Sequence, residues 1–153
     1  MIYLFLFEVS FVAVIEAGAI INGLPIFQVD YQKEAGKLGD PTLRSWLFSA
    51  IQSFAKDAFS DQMDELRLKN LTIAIKTVEI KQPVALYAVA DKETRSIDSV
   101  RDALDKIANL IEQDNKELDT MEPARNNHLR EYFDKAFKDL KMRPSERARR
   151  LFG

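Results

Sequence analysis

Four carboxylates gather near residue 60 and could together hold a hard metal cation. They are Asp57, Asp61, Asp64 and Glu65. Oxygen ligands in this number suit Ca²⁺ or Mg²⁺, but a calcium loop also needs a glycine bend and a fixed alternation of ligands. Neither accompanies these residues, so we interpret them as a solvated helix end followed by a turn and predict no metal site.

The residue types that carry most enzymatic chemistry are sparse in this chain. It has no cysteine, and His128 is its single histidine, which we expect on the polar face of a helix. Cysteine nucleophiles, thiolate metal sites and histidine-rich metal sites are therefore not predicted. The glycines match neither G-x-G-x-x-G nor G-x-x-x-x-G-K-[ST], the two common phosphate-binding patterns. We expect no catalytic site and no cofactor, and hence a protein that is not an enzyme.

The C-terminal stretch is basic and is the one charged feature for which we predict a ligand. Between residues 134 and 150, seven lysines and arginines outnumber three acidic residues. Near a membrane each unpaired cation is worth about 1 kcal/mol, although cations also suit a helix C-terminus through its dipole alone. We hypothesise contact with anionic lipid or an acidic partner through four arginines: Arg143, Arg147, Arg149 and Arg150.

Length, charge and composition describe one ordinary domain. The 153 residues are 46% hydrophobic and 30% charged, with a formal net charge of −2. Such a chain can bury a core without disulfides or metal, and its lack of cysteine fits a reducing cytoplasm. The small net charge creates no field for nucleic acid, so no nucleic acid partner is expected. We expect an N-terminal strand or arm over 1–10, a domain over 11–141 and a basic tail over 142–153.

The first 21 residues are nearly all apolar, which raises the alternative of a signal or membrane segment. No lysine or arginine precedes Lys33, and Glu8 and Glu16 would each be costly at bilayer depth. Phenylalanine, valine, isoleucine and tyrosine dominate the stretch, which favours buried strand. We therefore predict a cytoplasmic protein, peripheral to a membrane at most.

The rest of the chain alternates clear strand and helix signals. Asn22 and Gly23 tolerate positive φ and predict a tight turn between the first two strands. Asp40 can cap a helix whose first residue is Pro41. The predicted strands are 11–21, 25–31, 63–69, 71–80 and 83–90. The predicted helices are 40–59, 96–116 and one that starts near 123 and is broken at 143–144.

This order, β-β-α-β-β-β-α-α, predicts an α+β fold in which a five-stranded antiparallel sheet lies between helices as an αβα sandwich. Short turns join the last three strands, and 83–90 is apolar on both faces, so we expect that strand to be central. We predict the sheet order 2-1-5-4-3. Trp46 and Phe54 should be buried against one face of the sheet, and Ile107 and Phe133 against the other.

The first helix carries two apolar lines. The wide line, which we predict to lie on the sheet, has seven members at intervals of three and four: Leu43, Trp46, Leu47, Ala50, Ile51, Phe54 and Ala58. The narrow line consists of Phe48, Ala55 and Phe59. It is either further core or a partner-binding surface.

Three segments resemble the longin-domain family, both its stand-alone members in archaea and the longin modules of vesicle-fusion regulators. They are VIEAGAIINGLPIFQVDY in the first hairpin, LRSWLFSAIQSFAKDAF in the first helix and LTIAIKTVEIKQPVALYAVADKE in the central strand pair. The resemblance implies a longin-like αβα sandwich and a non-enzymatic module that binds a small GTPase, or a second longin or roadblock domain. It covers about residues 11–116. The N-terminal segment and the basic tail are extra, and we find no SNARE heptad region.

We predict that the protein acts as a homodimer or as half of a heterodimer. An edge strand with little charge is prone to pair with another chain, unless the arm over 1–10 covers it and leaves a monomer. The candidate partner-binding residues are Ile26, Phe27, Val29 and Tyr31 on the second strand and Phe48, Gln52, Ala55 and Phe59 on the first helix. The alternative function is a small-molecule or nucleotide-binding domain of profilin-like layered fold.

Overall fold

The computed structural model describes residues 13–31, 40–91 and 97–140. These residues form an α+β fold, a five-stranded antiparallel sheet with three helices in the order β-β-α-β-β-β-α-α. The predicted N-terminal arm over 1–10 and the predicted basic tail over 142–153, with its four candidate arginines, lie outside the described residues.

Five strands form the sheet: β1 (Val14–Ile21), β2 (Leu24–Asp30), β3 (Glu65–Arg67), β4 (Leu71–Glu79) and β5 (Pro83–Asp91). Across the sheet they lie in the order β2-β1-β5-β4-β3, and all neighbours are antiparallel, which confirms the predicted topology. Asn22 and Gly23, with φ values of 50° and 78°, close the first hairpin. Both residue types tolerate this left-handed region, so the predicted turn forms.

Three helices accompany the sheet: α1 (Pro41–Phe59), α2 (Asp98–Asp114) and α3 (His128–Ala136). A short 3₁₀ turn (Pro123–Asn126) precedes α3. The start of α1 is as predicted, because Asp40 accepts a hydrogen bond from the Thr42 backbone N–H at 2.8 Å. Within the described ranges, no helix combines the length and the apolar character needed to cross a bilayer.

β3 and α3 are among the elements that are shorter than predicted, and in both cases a hydrogen bond accompanies the difference. β3 begins late because the Gln52 side chain occupies both backbone groups of Met63 at 2.7 Å, which removes them from the sheet. α3 ends early because the chain turns at Phe137. That turn brings the Leu140 carbonyl to the Val14 N–H, at 2.6 Å, and ties the end of the domain to β1.

The larger core lies between the sheet and the helices α2 and α3. Ile107 of α2 and Phe133 of α3 are fully buried in it, as predicted. Phe133 packs on Phe27 of β2 with ring centroids 5.0 Å apart. Fully burying a side chain of this size contributes about 2–3 kcal/mol, so α3 holds β2 firmly to the domain.

The opposite face of the sheet carries a smaller core beneath α1. Phe48 of α1 packs on Tyr87 of β5 with ring centroids 5.8 Å apart. The Tyr87 ring lies over Gly18 of β1. A Cβ at Gly18 would come within 2.8 Å of a Tyr87 ring carbon and would overlap the Phe27 carbonyl oxygen, so the close approach requires glycine.

The prediction that Trp46 and Phe54 face the sheet is wrong. Their side chains are 56% and 64% exposed. Phe48, from the narrow apolar line, faces the sheet in their place. The helix is therefore placed on the predicted face of the sheet but rotated about its axis relative to the prediction.

Candidate functional site

A buried carboxylate organises the sheet face beneath α1. Glu16 lies within the apolar strand β1 and is fully buried. Both of its oxygens accept from Arg44 Nη2 at 2.7 Å, and they also accept from the Tyr87 hydroxyl at 2.8 Å and from Gln28 Nε2 at 3.0 Å. Burial raises the pKa of Glu16, while the hydrogen bond from Tyr87 and the charge of Arg44 oppose that rise. Because both oxygens have donors, this group is a structural anchor and not an acid or base open to a substrate.

This ion pair decides which side of α1 faces the sheet. A buried carboxylate without its cation would cost about 3–5 kcal/mol, which favours the rotation of α1 that turns Arg44 toward β1. Arg44, Phe48 and Gln52 are four residues apart and share one side of the helix. Arg44 binds Glu16 and Gln52 binds the Met63 backbone, so that side turns inward. The wide apolar line therefore faces away from the sheet.

The outward side of α1 is an exposed apolar surface, which we call the outer stripe: Leu43, Trp46, Leu47 and Phe54. Each of the four side chains is more than half exposed. Phe59, at the end of the helix, is also exposed and packs edge-on against Phe54 with ring centroids 5.9 Å apart. Contiguous apolar surfaces on soluble domains often mark binding sites. The outer stripe is therefore the strongest candidate partner site.

The partner-binding candidates on β2 do not form a free surface. β2 is an edge strand, as predicted. However, three of its candidate side chains are buried in the core against α3: Ile26, Phe27 and Val29. Tyr31, the fourth candidate, donates a hydrogen bond to Asp134 of α3 at 3.0 Å. Packing inside the domain therefore leaves a partner chiefly the backbone groups of this strand, and the proposed contact through these side chains stays a prediction that their burial does not favour.

The four candidates on α1 have different environments. Phe48 is core, and the Gln52 amide is occupied by the Met63 backbone. Ala55 is half-buried. Phe59 is the one member of this set with a large exposed side chain, at 71%. The role of these four residues in partner binding stays a prediction.

A cavity of about 280 Å³ lies between the inner side of α1 and the sheet, near the β1–β2 and β4–β5 turns. Its floor comes from three strands: Ile20, Ile75, Ala85 and Tyr87. On α1 it is lined by Phe48 and by four polar residues: Ser49, Gln52, Ser53 and Lys56. Because α1 turns polar side chains toward an apolar sheet, it leaves this space unfilled.

Two of the residues considered for metal or acid–base chemistry, Glu65 and His128, take part in ion pairing or packing. Glu65 binds Arg101 of α2 at 2.9 Å and Arg67 at 3.0 Å. No group of three or more His, Asp or Glu side chains in the described residues could hold a metal ion. His128 is half-buried, not on a fully solvated face, and its ring stands edge-on to Tyr132 with centroids 6.0 Å apart.

Sequence reasoning missed the Glu16 network. The available signal was a carboxylate within an otherwise apolar strand, since a buried charge needs a partner. Arg44 and Tyr87 lie 28 and 71 positions away along the chain. Their pairing with Glu16 is therefore a property of the tertiary structure.

Comparisons of the chain with protein-family models, with curated proteins and with solved structures give no match. The fold defines an α+β protein with the sheet order β2-β1-β5-β4-β3. Because a fold alone does not specify function, the functional argument rests on the outer stripe and on the cavity beneath α1.

Proposed function

We propose that this chain is a non-enzymatic interaction module of the longin type, a longin-like αβα sandwich that pairs with a second longin or roadblock domain. As a pair it would bind a small GTPase in regulation of the membrane-trafficking kind. The observation that carries the proposal is the outer stripe, four large apolar side chains exposed along one side of α1. The element order and the five-stranded antiparallel sheet agree with those that the longin resemblance implies.

The occupant that we assign to the outer stripe is a second copy of this chain. From Leu43 to Phe54 the stripe runs along about 16 Å of helix, at about 1.5 Å per residue. It carries no charge, so two stripes related by a two-fold axis can bury one another without leaving an unpaired ion. α1 packs beside the edge strand β2, whose backbone would extend the same interface. The two α1 helices would then form the platform for a GTPase.

Light scattering on the full chain at tens of micromolar tests the pairing. We expect a mass of two chains for the wild type and of one chain for the double variant Trp46→Glu with Leu47→Glu. The charges fall on exposed positions, so the variant should keep its fold. Val29→Lys is unsuitable as an interface variant because it would bury a charge in the core.

The matched control is Asn109→Glu, an exposed change on α2 at the other face of the sheet. It should leave the two-chain mass unchanged. A wild type of one chain, or a dimer that survives the double change, would refute the assigned interface. A wild-type monomer that dimerises only when the chain starts at Ala13 would show that the N-terminal arm is the occupant.

The GTPase part of the proposal is tested by pull-down with small GTPases from the same genome, each loaded with GDP or with a GTP analogue. We expect one of them to bind the wild type and the Asn109→Glu control but not the outer-stripe variant. Retention by all three proteins would place the GTPase site away from α1. Retention by none would remove the GTPase from the proposal.

The second candidate function is a small-molecule or nucleotide-binding domain of profilin-like layered fold. The cavity of about 280 Å³ beneath α1 is the observation in its favour. A thermal-shift screen against nucleotides and divalent metals tests it in a general way. A rise in melting temperature with a nucleotide, unaffected by changes in the outer stripe, would favour this candidate.

A further inference from the structure

The cavity beneath α1 has the size of a small metabolite. Its volume of about 280 Å³ matches about nine water molecules at roughly 30 Å³ each and lies just below the range of about 300–1,000 Å³ of common ligand pockets. Ile20, Ile75 and Ala85 make its floor apolar. A short apolar side chain can rest on this floor without breaking any hydrogen bond of the protein.

Two side chains of opposite charge stand at the rim. Lys56 comes from α1 and Glu79 from the end of β4, and both are exposed and line the cavity. Neither forms an ion pair with any residue in the part of the chain that the structure describes. By contrast, Lys81 nearby is paired with Glu117. The cavity thus combines an apolar floor with one cation and one anion that have no ion-pair partner among the described residues.

We propose that this cavity binds a small zwitterion with an apolar side chain, of the class of free aliphatic amino acids. The side chain would lie on the floor, the carboxylate would face Lys56 and the ammonium group would face Glu79. The hydroxyls of Ser49 and Ser53, on α1, would form hydrogen bonds with the carboxylate and the ammonium group of the ligand. This inference is independent of how the outer stripe is occupied.

Other ligand classes fit the cavity less well. A nucleotide would bring several negative charges to a rim that has one lysine and one glutamate. A long-chain fatty acid would exceed the volume, and its lone carboxylate would meet Glu79 without an ammonium group to balance it. The pair of opposite charges over an apolar floor is therefore what selects the zwitterion.

Isothermal titration calorimetry with L-leucine tests the proposal on the full chain. We expect a dissociation constant of about 1 mM or below, the scale for a ligand of about nine non-hydrogen atoms. Two matched probes each lack one charge: 4-methylpentanoate has no ammonium group and 3-methylbutylamine has no carboxylate. Each should bind more weakly than leucine, by up to about fivefold, since a partly exposed ion pair is worth up to about this factor.

Three variants and one control test whether the heat of leucine binding arises at this cavity. Lys56→Gln and Glu79→Gln should each weaken leucine about fivefold, and Ala85→Phe should abolish binding by filling the floor. Lys76→Gln lies on the other face of β4, beside Asp105, and should bind as the wild type does. Circular dichroism checks the folding of each, and the two charge variants suffice if Ala85→Phe does not fold. The proposal is overturned by no heat with leucine up to tens of millimolar, by equal binding of the single-charge probes, or by charge variants that bind as the wild type.

Discussion

Arg44 of α1 places one guanidinium nitrogen 2.7 Å from both carboxylate oxygens of Glu16, a fully buried residue 28 positions earlier in β1. This contact fixes the rotation of α1 about its own axis. The side of the helix that carries Arg44 turns to the sheet, and the most apolar side of the helix turns away from it. One buried ion pair thereby accounts for both candidate sites, the outer stripe and the cavity beneath α1.

Replacing Arg44 alone should lower the free energy of unfolding more than replacing Arg44 and Glu16 together. We expect Arg44→Met to lower the free energy of unfolding by about 3–5 kcal/mol, because it leaves the Glu16 charge buried and unpaired. Adding Glu16→Leu to this variant should recover at least half of that loss. Urea unfolding at neutral pH measures both, with Arg67→Met, at an exposed ion pair, as the control expected to cost less than about 1 kcal/mol. A loss below about 1 kcal/mol for Arg44→Met would contradict the role of the pair.

The stability of the domain should carry a pH signature of Glu16. Burial raises the pKa of Glu16 above its ordinary value of 4.5, so the folded state favours the protonated form. The contribution of this group is present in full below that ordinary value and is lost as the pH rises through the pKa of the folded state. Relative to Glu16→Gln, the wild type should thus lose stability in urea melts as the pH rises above the ordinary value of 4.5. A relative gain over the same interval would show that Arg44 outweighs burial.

The rotation of α1 makes opposite predictions for two phenylalanines on the same helix. Phe48→Ala should cost about 3–5 kcal/mol, since the side chain is buried against Tyr87. Phe54→Ala should cost less than about 1 kcal/mol in dilute protein, since its side chain is mostly exposed. Denaturant melts of the two variants under identical conditions measure this contrast. The reverse order of losses would mean that α1 lies on the sheet by its wide apolar line.

Asn126 should be a strong stability determinant although it lies in a short 3₁₀ turn. Its buried amide donates to the carbonyls of Ile26 at 2.9 Å and Asp119 at 2.8 Å, and accepts from the Asp119 N–H at 2.8 Å. Asn126→Ala leaves these backbone groups unpaired, and we expect a loss of about 2–4 kcal/mol. Asn127→Ala, at an exposed position, is the control and should stay within about 0.5 kcal/mol of the wild type. Equal losses for the two would show that the Asn126 hydrogen bonds do not hold β2 in place.

The predicted membrane or acidic-partner role of the basic tail is tested by liposome sedimentation. We expect the full chain to bind vesicles that contain phosphatidylserine, with about 1 kcal/mol for each unpaired cation, and a chain ending at Lys141 to bind less. The loss should be greatest at low ionic strength, because salt screens such contacts. Equal binding by the two chains would dismiss Arg143, Arg147, Arg149 and Arg150 as lipid contacts.

The sequence by itself determined the order of the elements and the topology of the sheet. The signals were local: Asn22 and Gly23 for the first hairpin, Asp40 and Pro41 for the start of α1, and alternating apolar residues for the strands. Short connections then left few ways to arrange five antiparallel strands. It also identified α1 as the helix with surplus apolar surface, which is the element that carries the candidate partner site.

Only the tertiary structure decided which side of α1 is buried, and with it the position of both candidate sites. The spacing of apolar residues along a helix shows which residues share a side. It also shows which side has the largest apolar area. In this fold the most apolar side is not the buried one, because Arg44 and Gln52 turn toward the sheet to bind Glu16 and the Met63 backbone, and an unpaired Glu16 would cost about 3–5 kcal/mol. The partner that satisfies Glu16 is supplied by a different element, so its identity depends on long-range packing that no local pattern records.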